Sequence, residues 1–478
     1  MIFMSEKKYV VDWIEENRDI ITDVHHKLWE YAEVGLQETK SAKLMIEILE
    51  KNGFQIEKGV AGMPTAFVAT YGTRGPVIGL MGELDALPGI SNKAVPYQDP
   101  IKEGAPGHGC GHNSYAATAL GASLAIKEAI DKYNISGTVK CFGCPAEETL
   151  VGKVFMVRDG IFDGVDACLG HHPGSKNSAS LGKGVAMNSM KFEFFGKASH
   201  AGGSPHLGIS ALDAVELMNT GVNFMREHVV QETRIHYVIE DGGHEPNVVP
   251  PYARSWYYIR APTREYVEQY YNRILNIAKG ATLMTETEYK IKFLTGVHEG
   301  IPNRPLAETI INNMKEIGAP NYTEEELAWA KELGKSVSKE QKKAGLLRST
   351  LPNAIELLDV DINTNIYEPH GEGTVMGGSS DVADVAWNIP TQQFSTAYFV
   401  VGCPGHSWQH SAIGGTTIAQ KSSVFASKVM AITTLDLLKK RELRIKVKKD
   451  WELRMDGRLY KSPLPADLKP PLDQLKKQ

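Results

Sequence analysis

Two short apolar runs, GPVIGLMGELDALPG (75–89) and SGTVKCFGCPAEE (136–148), bracket the alanine-rich segment SYAATALGASLAIKEAI (114–130). Each run reads as a buried strand that ends in a loop carrying carboxylates, because so short and uniformly apolar a stretch has no face to give to water. The segment between them reads as a helix. Strand, helix and strand in that order predict an α/β sheet with parallel members, whose sites gather outside the carboxyl ends of the strands. Chemistry is therefore expected in the loops that follow these runs.

The chain of 478 residues exceeds what one hydrophobic core fills, so two domains are expected, with room for one to be discontinuous. Helical spacing of Val10, Trp13, Ile14, Ile21, Leu28 and Leu44 to Leu49 predicts two helices across residues 7–52, broken around EVGLQET. From about Lys191 the texture changes. MKFEFFGKASH alternates like a strand, ISALDAVELMNTGVNFMREHV is an amphipathic helix, and TRIHYVIEDGGHEPNVVPPYARSWYYIRAP reads as two strands about a turn. A helix (264–280) and a strand (287–296) complete a βαββαβ unit, compact enough to be a satellite inserted into the first domain. The expected division is a catalytic domain in two segments, 1–188 and 301–478, with the satellite at 189–300 between them. Residues 320–350 form a charged helical excursion, MGGSSDVADV, FSTAYFV and GCPGHSWQH regain strand character, and a long helix covers 416–440.

The 52 Lys+Arg against 57 Asp+Glu give a net charge of -5, and the sole block of like charge is the short stretch Lys439 to Lys449, which argues against nucleic acid as a partner. The N-terminal residues MIFMSEKKYVVDWIEENRD lack an apolar leader core and no apolar run reaches membrane-spanning length, so a soluble cytoplasmic protein is expected. Five cysteines are too few and too odd for a disulfide framework, which leaves each as a core residue, a ligand or a nucleophile.

Four clusters could carry chemistry. In GHGCGHN, Cys110 and His112 can point to one cation if the backbone turns sharply at Gly109 and Gly111; a glycine loop with a buried thiol is the equal alternative. In PAEET, Glu147 and Glu148 face opposite ways, so one can bind a metal while its neighbour holds a proton. His171 and His172 in LGHHPG, and His406 in GCPGHSW, follow further apolar stretches. Thiolate, imidazole and carboxylate together suit zinc, with manganese as the alternative. Cys141 and Cys144 have redox spacing but lie within a buried strand, so they read as core. In the satellite, His200 ends a strand, and Asn247 and Arg260 could clamp a substrate carboxylate, although an arginine among aromatics more commonly covers core with its stem.

HHKLWEYAEVGLQET, GELDALPG, GHGCGHN, PAEET, LGHHPG, FFGKASHAGGSPHLGISALDA, NVVP with YYIRAP, GGSSDVADV and GHSW, in this order over nearly the whole chain, resemble the dinuclear-metal aminoacylase, carboxypeptidase and amidohydrolase family, in its branch of bacterial amidohydrolases and plant auxin-conjugate hydrolases. The excursion and the tail DGRLYKSPLPADLKPP resemble the B-subunit group of the p-aminobenzoyl-glutamate hydrolases within that family. The resemblance implies a metal-dependent exopeptidase-like α/β domain with a mainly parallel sheet and an inserted ferredoxin-like dimerisation domain. It implies two divalent metal ions, zinc or manganese, held by Cys110, His112, Glu148, His172 and His406, with Glu147 as general base and Asp85 orienting a ligand histidine. His200, Asn247 and Arg260 match residues that hold the substrate's carbonyl and carboxylate, His200 reaching the partner's site in a homodimer. Glu83 and Asn113 stand where this branch commonly has aspartate; His171 stands where a hydrophobic residue is usual and leaves open which histidine of HHPG is the ligand.

The implied reaction is hydrolysis of the amide bond of an N-acyl amino acid, p-aminobenzoyl-glutamate or a related conjugate, with a second hydrolase subunit as a further possible partner. The rivals are aminoacylase or dipeptidase action on other N-acyl amino acids, and a ligand-binding homologue that has lost turnover.

Overall fold

The computed structural model describes residues 5–472. Among them the strands are β1 (Gln55–Lys58), β2 (Phe67–Tyr71), β3 (Val77–Glu83), β4 (Thr138–Cys144), β5 (Ala167–His171), β6 (Ala186–Phe195), β7 (Arg234–Asp241), β8 (Tyr252–Ala261), β9 (Glu288–Val297) and β10 (Thr391–Phe394). One sheet has the order β1-β2-β4-β3-β5-β10 and the other β7-β8-β6-β9.

In the first sheet β4, β3, β5 and β10 run parallel, while β2 pairs antiparallel with β4, and β1 antiparallel with β2. The predicted strands at 75–89 and 136–148 are β3 and β4. Their register pairs Glu83 with Cys144, so the loops leaving them begin side by side. The alanine-rich segment is the helix His112–Tyr133, buried along most of its length. Its small side chains let it approach the sheet closely: a Cβ on Gly82 of β3 would stand 3.1 Å from the Ala116 Cα. The helix Thr417–Lys439 packs against it and closes the main core.

The second sheet is antiparallel throughout and carries the helices Ala211–Met225 and Arg264–Thr285 on one face over a core of its own. Strand, helix, two strands, helix and strand follow in the order read from the sequence. β8 alternates half-buried and buried residues, as a strand with one covered face must.

Four readings differ in detail. Residues 5–51 form three helices, because Asn17 turns its side-chain amide onto the Trp13 carbonyl at 2.8 Å and breaks the first from the second. VADV is the start of a helix, Val382–Asn388, and not a strand, only Phe394 of FSTAYFV lies in a strand, and GCPGHSWQH is a turn that leads into the helix Trp408–Gly414. The excursion is two helices, Glu324–Gly334 and Lys339–Leu347, each opened by a capping box. A last helix, Arg441–Met455, buries only Val447 and Met455 and so has too faint an apolar stripe to be read. No helix among the described residues is long and apolar enough to cross a membrane.

β4 is tightly enclosed at Gly143, where an added Cβ would lie 2.0 Å from the Phe67 ring. Gly143→Ala is expected to cost about 1–3 kcal/mol by overpacking, read as a lowered midpoint in urea unfolding.

Candidate metal centre

The loops after β3, β4 and β5 and the turn before the helix Trp408–Gly414 converge at the carboxyl end of the parallel strands. Asp85 lies two residues beyond β3. One of its carboxylate oxygens stands 3.0 Å from His112 Nδ1, and the other accepts the Glu148 backbone N–H at 2.9 Å. The Asp85 carbonyl is also 3.0 Å from His112 Nδ1. Two acceptors on one ring nitrogen require that nitrogen to carry a proton, which leaves Nε2, facing the cluster, as the position where a cation could displace a proton.

His172 is fixed in the same sense. Its Nδ1 lies 3.0 Å from the Pro173 carbonyl, which leaves Nε2 facing Cys110 Sγ at 3.3 Å. The neighbouring His171 is spent on two hydroxyls, Thr118 at 3.1 Å and Thr396 at 2.7 Å. His171 ends β5 and points into the core, whereas His172 points to the opposite side. This geometry favours His172 over His171 as the ligand. His108 is likewise structural: its Nε2 contacts the Leu28 carbonyl at 3.0 Å.

Two glycines of GHGCGHN are set by their surroundings: a Cβ at Gly107 would come 2.8 Å from the Ile90 carbonyl oxygen, and Gly111 has φ +79° and lies against Pro173. The Gly109 carbonyl receives the His406 backbone N–H at 3.3 Å, which ties the first candidate loop to the last. His406 itself has φ +54°, a left-handed conformation that non-glycine residues adopt at a cost. On the PAEET side Ala146 has φ +55°, and its N–H is held at 2.8 Å by the buried Glu38 carboxylate of EVGLQET, which Thr65 also engages at 2.8 Å.

The donor atoms fall into groups, each within 4.8 Å: Cys110, His112 and His172; Cys110, Glu148 and His406; and Glu83, His112 and Glu147. The first two share the cysteine sulfur. Glu148 Oε2 stands 3.5 Å from His406 Nε2, while its Oε1 is buried with no hydrogen-bond partner among the described residues. An orphaned buried carboxylate oxygen beside a thiol and three imidazole nitrogens is a donor set that fits divalent cations. Burial pushes the Cys110 thiol up to about 12, so its ionised form needs a cation beside it. Burial, with Glu83 next in weight, raises the Glu147 carboxyl to about 7, and its Oε2 is 3.8 Å from His112 Nε2.

Beneath this cluster lies a charge network that sequence reasoning did not assign. Lys153, fully buried, reaches Glu83 at 2.8 Å and Asp381 at 2.6 Å, and its backbone N–H donates to Asp381 at 2.7 Å. Glu83 in turn lies 3.1 Å from His112 Nε2. The available signal was a lone lysine inside the apolar run VGKVFMV and a lone aspartate before VADVAW, since charges in such settings are buried only when paired.

The residues matched to substrate binding are not gathered at this cluster. His200 and Asn247 are exposed neighbours on the satellite, with His200 Nδ1 accepting the Gly202 and Gly203 amides at 3.1 and 2.9 Å, and the Asn247 carbonyl accepting from Ala201 at 2.8 Å. Arg260 extends from β8 to the Gly377 carbonyl at 3.2 Å. Met376 and Gly378, on either side of Gly377, line a cavity of about 480 Å³ that His172, Ser379, Gln393 and Phe394 also border.

Residues 79–346 match the model of Peptidase family M20/M25/M40. The chain belongs to this family, and is a metal-dependent hydrolase of amide bonds. It is 36% identical over 472 residues to the B subunit of p-aminobenzoyl-glutamate hydrolase from Escherichia coli K12, covering 97% of this chain and 98% of that one. It is 25% identical over 464 residues to the Xaa-Arg dipeptidase of mouse, with 94% and 93% covered. The solved structure of a dinuclear metal-binding peptidase from Bacillus subtilis superposes with a TM-score of 0.57 at 16% identity, over 89% of this chain and 99% of that one.

Two outcomes test the centre. Asp85→Asn should weaken metal affinity about 10- to 100-fold, measured by titrating chelator-stripped protein with zinc. Lys153→Met strands two buried carboxylates and should cost about 3–5 kcal/mol, seen as a lowered melting temperature of the stripped protein.

Proposed function

We propose that the chain hydrolyses the amide bond of an N-acyl amino acid, p-aminobenzoyl-glutamate or a related aminoacyl conjugate, at a centre of two divalent cations. The observation that carries this reading is the pair of donor groups joined at Cys110, with Glu147 beside them. Cys110, His112 and His172 would hold one cation, and Cys110, Glu148 and His406 the other. Bound cations supply Lewis acidity for the amide carbonyl and acidify the attacking water. The sulfur-bearing donor set favours zinc, with manganese as the alternative.

The protein's own groups do the rest. Asp85 holds His112 in the tautomer that turns Nε2 to the cluster. Glu147, whose carboxyl burial raises to about 7 in the cation-free chain, would take the proton of the water as it attacks and return it to the leaving nitrogen. Arg260, whose guanidinium meets the Gly377 carbonyl between two residues that line the cavity beside His172, would receive the substrate's carboxylate. His200, with Nδ1 occupied by two backbone amides, presents Nε2–H outward as a donor to a carbonyl. Its exposure on the satellite, with Asn247 beside it, supports the reading in which residues 189–300 dimerise and His200 and Asn247 serve the partner's site. That the Escherichia coli relative is named as one subunit of a hydrolase also supports a second, different subunit as partner. Five free thiols fit the reducing cytoplasm.

Loaded with zinc or manganese, the protein is expected to hydrolyse p-aminobenzoyl-glutamate in preference to dipeptides ending in arginine or to N-acetyl amino acids. The reverse order would move the reading to a dipeptidase or aminoacylase, and metal-loaded protein that binds these compounds without turnover would make it a binding homologue. Glu147→Gln should keep its metal while kcat falls by roughly 10²-fold or more, followed by product assay together with metal analysis.

A further inference from the structure

The charged excursion takes no part in the metal centre, yet it walls a cavity next to the loops that build it. The helix Lys339–Leu347 and the residues up to Leu351 form one side. Ser175 and Lys176, shortly after His172, and Val401 to Pro404, shortly before His406, contribute to the other. The cavity holds about 650 Å³. Two of its lining residues are cations, Lys176 and Arg348; hydroxyls and amides of Ser336, Ser349 and Gln341 accompany them, and no carboxylate lines it.

Lys176 is the informative residue. Its ammonium is largely withdrawn from water, which lowers its pKa, and its one hydrogen bond among the described residues is to the Ser349 hydroxyl at 3.4 Å. The two most deeply buried lysines among the described residues have carboxylate partners, Lys7 with Glu316 and Lys153 with Glu83 and Asp381. A partly desolvated cation among hydroxyls and amides, with no carboxylate of the described residues paired to it, is built to receive one.

We propose that this cavity is a carboxylate subsite that receives the acidic side chain of an N-acyl amino acid substrate, with Lys176 as its ion partner and Arg348 at its mouth. The proposal rests on the N-acyl amino acid reading above. It gives the excursion a role: the second capped helix and the residues after it supply Arg348 and Ser349 and close the cavity over Lys176.

The test is a grid of substrates on the full-length, metal-loaded protein: acetyl, benzoyl and p-aminobenzoyl conjugates, each of glutamate and of glutamine. Glutamine keeps the shape and removes the charge. The expected result is a glutamate-over-glutamine ratio in kcat/KM of about tenfold or more, which Lys176→Met lowers about tenfold through the KM for glutamate. Lys176→Arg, which keeps the charge, should restore most of the ratio, and Arg348→Gln should lower it less. A ratio that Lys176→Met leaves unchanged, or a wild-type protein without preference for glutamate, overturns the subsite. Failure of the p-aminobenzoyl reading shows separately, as cleavage of acetyl or benzoyl conjugates alone, and the glutamate comparison is then made on those. A loaded wild-type protein that cleaves none of the six overturns both.

Discussion

One carboxylate decides where the centre can form. Asp85 divides its two oxygens between the His112 ring and the Glu148 backbone, and so joins the end of β3, the first residue of the central helix and the loop after β4 in one buried contact. A single group at the meeting point of three elements fixes the tautomer of one proposed ligand and the position of another. It can do so because the β3–β4 register brings Glu83 and Cys144 side by side, so both loops leave the sheet at one level. Shift that register by one residue and Asp85 would face the opposite side of the sheet.

The surroundings are arranged to keep this contact rigid. Glu38 holds the amide of Ala146 in a left-handed conformation immediately before Glu147, and Gly109 binds the backbone of His406, itself left-handed. Strain at two positions, each held by a specific hydrogen bond, is what is expected where side chains must converge more closely than unstrained loops would bring them.

Much of this was legible. β3, β4 and the helix between them follow from apolar runs of the right length, and all four candidate loops were found because each follows a buried strand or an apolar stretch. His171 and His172 could not be separated by composition; their surroundings divide because successive residues at a strand end face opposite sides. The network of Glu83, Lys153 and Asp381 was not legible as a network, since its members are far apart in the chain and nothing local says which distant charge a buried lysine meets. Arg260 shows the same limit: its aromatic strand gave the alternation, but only the folded chain places its guanidinium on the Gly377 carbonyl.

The electrostatics of the cluster give an argument that does not depend on resemblance. Glu83, Asp85, Glu147 and Asp381 are buried there together with the half-buried Glu148, and among the described residues Lys153 is the one lysine or arginine in direct contact with any of them. Burial first, and the excess of negative groups with Glu83 foremost second, drive the Glu147 carboxyl up to about 7. Protons relieve that excess only partly and singly. Divalent cations relieve it with two charges each, at the point where the thiol and the oriented imidazoles already face. The same buried carboxylates that help raise the Glu147 carboxyl in the cation-free chain therefore also favour the binding of divalent cations.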